Sequence, residues 1–108
     1  MTAWLAAFSV TQIVECPIYG YALADHRWRW GCAFGLSAVT HPIIFFALPR
    51  LFPADYWTYV SVAEAFAVVV EAGLLSALGA RRPLQWALLA NGASLLVGLT
   101  LRAWIGWP

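Results

Sequence analysis

The sequence predicts an all-α, polytopic membrane protein: four transmembrane helices, consecutive ones antiparallel, in an up-down bundle. Three observations predict it. Hydrophobic residues make up 63% of the 108 and charged residues only 10%, where a soluble domain has roughly 45–50% and about 25%. A chain this short buries the smallest fraction of its surface, so a mean hydropathy of +0.76 suits lipid better than one aqueous core. Four apolar runs approach the about 20 residues that a bilayer core requires: Trp4–Leu23, Gly31–Leu48, Trp57–Leu78 and Leu84–Ile105. The seven Trp fall at or near the ends of these runs, where amphipathic rings sit at headgroup level. Residues 1–108 form one four-helix transmembrane domain.

The first run contains Glu15 and Pro17 and has no Lys or Arg before it. Ala22-Leu23-Ala24 resembles a small-residue cleavage site, but an interrupted run without a basic start reads as a retained helix. The connector Asp25-His26-Arg27-Trp28-Arg29 leads to the second run, Arg50-Leu51-Phe52-Pro53-Ala54-Asp55 to the third, and Ala80-Arg81-Arg82-Pro83 to the fourth. Connectors this short make sequential helices antiparallel neighbours. The first and third carry Arg27, Arg29, Arg81 and Arg82; the opposite side has Arg50 and Arg102. Positive charge marks the cytoplasmic side, which places the protein in the plasma (inner) membrane with both termini outside. Residues 1–52 aligned with 57–108 pair Glu15 with Glu71 and Trp30 with Trp86, suggesting two similar hairpins.

Net charge is +1, without a basic patch or an acidic tail, so no nucleic acid is expected as a partner. Cys16 and Cys32 lie in apolar runs without a CxxC pattern. They read as buried, apolar-like thiols.

The chemistry lies inside the spans. An ionisable residue at a helix centre costs about 2.5–3.5 kcal/mol on insertion scales and usually faces protein or water. Glu15, His41, Glu64 and Glu71 all fall there. Helical spacing gathers polar residues into one stripe per span: Gln12, Glu15 and Tyr19; Ser37, Thr40 and His41; Ser61, Glu64 and Glu71; Asn91, Ser94, Gly98 and Arg102. Four stripes on adjacent helices converge on one interior, where they satisfy each other. At about 1.5 Å per residue, Glu15 and His41 reach mid-membrane. Glu71 and Asn91 lie slightly toward the Arg-rich side, and Glu64 lies toward the other. Glu15, His41 and Glu71 are therefore expected to form one proton, ion or substrate site, supported by Gln12, Tyr19, Thr40, Asn91 and Ser94. Glu64 and Arg102 are expected to form an ion pair. Pro17 and Pro42 lack an N–H and leave the carbonyls of Ile13 and Ala38 for other partners. Ala90, Ser94 and Gly98 make a small-residue seam for a neighbouring helix or a second protomer.

Three functional readings remain open. The leading one is transport or permeation of a proton, cation or small molecule. The second is a non-catalytic accessory subunit of a larger membrane complex. The third is an intramembrane metal-dependent enzyme. A di-iron site needs paired Glu-x-x-His motifs, which are missing, and the sequence identifies no metal or cofactor. Expected partners are the lipid bilayer and either a second copy or a larger complex. In length, four spans and a mid-membrane Glu15, the chain resembles the small multidrug resistance transporters. It departs from them in having three membrane carboxylates and a central His41, and in lacking a glycine-rich kink within Val60–Val70. It is not assigned to that family.

Overall fold

The computed structural model describes residues 2–51 and 55–106, and these form an all-α protein of four helical rods. Helix α1 spans Thr2–Ala22. Helix α2 (Arg29–Pro42) continues through a π-helical turn, Ile43–Ala47, into the short α3, Leu48–Leu51. Helix α4 is Tyr56–Ala77 and α5 is Pro83–Ile105. The expected runs are met within a few residues, with one correction. The second rod starts at Arg29, ends at Leu51 and is not uniform.

Its irregularity follows from two prolines. Pro42 removes one helical donor and Pro49 another. Between them the backbone widens, and the Leu48 N–H donates to the carbonyl of Ile43, five residues back. The Ile44 carbonyl then has no helical donor: Leu48 is taken, and residue 49 is Pro. The Tyr59 hydroxyl of α4 donates to it instead at 2.7 Å. A freed carbonyl in an apolar setting demands such a partner, so the π turn is tied to α4.

The helix ends are built locally. At the start of α4 the Thr58 N–H donates to the Asp55 side chain at 2.7 Å, an N-cap. That backbone hydrogen bond holds the exposed Asp55 carboxyl below the usual carboxylate range. Helix α4 ends where Gly79 adopts φ +85°, and the Ala80 N–H reaches back to Leu75 O at 3.0 Å. A left-handed residue at this point closes a helix, and Gly takes that conformation without a Cβ penalty.

Helix α1 packs on α2 and α5, and α4 packs on the same two. The four rods thus close a ring in which α1 stands across from α4, and α2 across from α5. One part of the interior is a tight core of Tyr19, Leu23, Ala33, Leu36, Leu75, Ala87 and Ala90. Three of these are alanines with no exposed surface, which allows close backbone approach. At Gly20 a Cβ would lie 2.2 Å from the Trp30 ring; the indole lies directly on the glycine, and the Arg29 Nε donates to Gly20 O at 3.0 Å.

Among the described residues, three helical stretches are long and apolar enough to cross a membrane: Arg29–Ala47, Trp57–Ala77 and Pro83–Trp104. The first helix is as long, at 21 residues, but is not among them, because Thr11, Gln12, Glu15 and Tyr19 dilute its apolar character. Trp28, Trp30, Trp57 and Trp104 are exposed near rod ends, and Trp86 is half-buried. Trp107 and the connector residues Phe52, Pro53 and Ala54 lie outside the described residues, and the Trp4 side chain lies outside the described side chains.

Candidate functional site

Glu15 and Glu71 meet inside the ring. Glu15 is 2% exposed and Glu71 is 1% exposed. They come from opposite helices, α1 and α4, and their donors come mainly from the other pair. Ser37 and Thr40 lie one turn apart on α2; Asn91 and Ser94 lie one turn apart on α5. Each of these turns gives one donor to each carboxyl. Glu15 accepts from Ser37 Oγ at 2.7 Å and from Ser94 Oγ at 2.5 Å. Glu71 accepts from Thr40 Oγ1 at 2.5 Å and from Asn91 Nδ2 at 3.1 Å. The arrangement is close to two-fold symmetric.

Tyr19 breaks the symmetry. It lies four residues after Glu15, yet its hydroxyl donates to Glu71 Oε1. Asn91 Nδ2 ties the group together, donating also to Tyr19 Oη at 3.2 Å and to Ala87 O at 2.9 Å. All four carboxyl oxygens are engaged, and every donor named is a neutral hydroxyl or amide. A carboxylate has about four acceptor positions, so both groups keep spare capacity.

Beside the pair lies a cavity of about 250 Å³, with both glutamates on its wall. It runs along the N-terminal half of α1, the end of α2 with the π turn, the first half of α4 and the second half of α5. The tight core occupies the opposite halves of the same helices. The pair therefore sits at the inner end of a cavity, with packed apolar residues beyond it.

Of the site residues expected from sequence, Glu15, Glu71, Tyr19, Thr40, Asn91 and Ser94 join one hydrogen-bonded cluster. His41 lines the same cavity, with its ring 5.5 Å from that of Phe8 and 6.4 Å from that of Phe45. Glu64 also lines it, while Arg102 is exposed in the last turn of α5. Gln12 stands apart: its Nε2 donates to Phe34 O at 3.1 Å, and its Oε1 has no hydrogen-bond partner among the described residues. It fastens α1 to α2 and does not touch the carboxyls.

Two participants lay outside the expected set. Ser37 shares the stripe of Thr40 and His41, and its helical phase was the available signal. Tyr59 is recognisable only once the π turn is known. Among the described residues, no three His, Cys, Asp or Glu side chains gather as a metal-ligand group. The chain matches no protein-family model, no curated protein and no solved structure.

Proposed function

We propose that the chain is a self-contained membrane bundle whose glutamate pair binds and passes a proton or a small cation. In this reading α1 is a fourth span, its polar stripe turned inward and its apolar face toward lipid. The helices run antiparallel as two similar hairpins, both termini lie outside, and the cavity opens on that side of the plasma (inner) membrane. Exposed Ile13, Val69, Leu84 and Leu96 fit a lipid-facing surface. The placing of Glu15 and Glu71 on opposite helices, at paired positions of the two halves, fits the hairpin repeat.

The observation that carries the reading is the pair itself. Two buried carboxyls on opposite helices are held by neutral donors from the same two helical turns at the inner end of a cavity. Ionisable groups at such depth typically mark ion paths and proton relays. A pair exchanging its proton for a cation gives the bundle a way to couple charge to helix arrangement. His41, on the cavity wall, is suited to relay between bulk water and the pair. In the accessory-subunit reading, polar stripes would stay open for a partner; here Tyr19, Ser37, Thr40 and Asn91 are consumed within the chain, which favours a self-sufficient site.

Reconstitution of the chain alone tests this. In vesicles loaded with a pH-sensitive dye and given a potassium diffusion potential, the wild type is expected to move protons faster than empty vesicles. Glu15→Gln and Glu71→Gln are each expected to fall to the empty-vesicle rate. A silent wild type, active only with a co-purifying membrane protein, supports the accessory-subunit reading instead.

A further inference from the structure

A second cleft lies at the other end of the bundle, outside the glutamate site. Its volume is about 400 Å³, and Tyr21, Asp25, His26, Arg81 and Trp86 stand on its wall with the turn at Gly79. Two connectors meet here. Together they hold Arg27, Arg29, Arg81 and Arg82 against the single carboxylate of Asp25, so positive charge is in excess.

The start of α5 adds to this excess. Arg81 and Arg82 precede α5, at the positive pole of its dipole, where cations are disfavoured. No side chain caps that helix end, and its N-cap residue Arg82 takes a left-handed conformation at φ 54°. His26 Nδ1 accepts the Trp28 N–H at 3.0 Å, leaving Nε2 as the ring's donor. The aromatic neighbours also mark a location. Tyr21 and Trp86 pack at 5.7 Å between ring centroids, and Arg27 and Arg29 lie over Trp28 and Trp30 at 5.3 and 4.8 Å. Such rings belong to the lipid headgroup layer.

We infer that this cleft binds the phosphate headgroup of an anionic phospholipid. The phosphate sits near Arg81 and the N-terminal end of α5, with His26 donating, and the glycerol backbone lies along Tyr21 and Trp86. A basic cluster beside a membrane helix recognises anionic lipid in this way. The inference rests on the membrane reading of the chain but not on its transport activity.

The test is native mass spectrometry of the purified chain in mixed micelles with equimolar phosphatidylglycerol and phosphatidylcholine. Phosphatidylglycerol is expected to be retained about tenfold over phosphatidylcholine. The double variant Arg81→Gln/Arg82→Gln is expected to lose that preference. Arg50→Gln, which removes one charge at the other end, is expected to keep it. Both changes fall on exposed side chains, and circular dichroism verifies the fold. Equal retention of the two lipids overturns the inference, as does equal loss in Arg50→Gln, which would reflect bulk charge. Displacement of the lipid by millimolar inorganic phosphate would identify a soluble anion and also overturn it. A chain that fails to enter micelles or nanodiscs refutes the membrane reading itself, a distinct result.

Discussion

Glu71→Leu is expected to destabilise the folded bundle by about 2 kcal/mol, while Glu71→Gln costs clearly less. Glu71 accepts from Tyr19, Thr40 and Asn91, and Leu leaves those donors facing an apolar side chain. Hydrogen bonds within membrane proteins average about 0.6 kcal/mol, so three of them give roughly that total. Tyr19 and Thr40 are fully buried and have no water to turn to. Gln keeps the shape and one acceptor oxygen, so part of the network survives. Both variants are expected to lose proton flux, because neither has a titratable group at this position. Unfolding in bicelles measures the stability difference. Equal stability of wild type and Glu71→Leu would mean that the network adds nothing to folding.

Gly20→Leu is expected to cost about 1–3 kcal/mol, the usual range for an overpacked contact. The Cβ alone would stand 2.2 Å from the Trp30 ring. Trp30 is 56% exposed, so its ring has room to swing outward, but it then loses its contact with α1. The Arg29 bond to Gly20 O is strained by the same movement. Gly35→Leu is the control, since a Cβ there meets nothing within 4 Å. Similar stability of the two variants would show that the α1–α2 contact tolerates an extra side chain at Gly20.

Much of this was legible in the residues because helix length and helical phase obey simple rules. The apolar runs gave the rods within a few residues, and helical phase placed Tyr19, Thr40, Asn91 and Ser94 on the stripes that close around the glutamates. The π turn was not legible. Pro42 and Pro49 foretell missing donors, yet widening, kinking and ending a helix all answer that deficit. The choice is made by Tyr59, a tertiary partner that no periodicity locates. Gln12 stands outside the cluster for a related reason: its spacing from Glu15 puts it on the same face, but one turn away its amide meets the Phe34 carbonyl. Spacing gives direction around a helix and depth along it, not which neighbour a flexible side chain reaches. Hydropathy leaves α1 out for a related reason: it counts Glu15 and Tyr19 without regard to their burial inside the ring.

The central claim is that Glu15 and Glu71 act as one buried site with His41 beside it. Infrared titration of the side-chain carboxyls, in lipid nanodiscs with isotope-labelled Glu, tests it most directly. Interacting groups titrate as a set, so Glu15→Gln is expected to displace the titration of Glu71, and His41→Ala to displace that of at least one glutamate. If instead Glu15 and Glu71 each titrate as free carboxyls near pH ~4.3, with curves identical in wild type and both variants, the two groups are independent and water-exposed, and the account is contradicted.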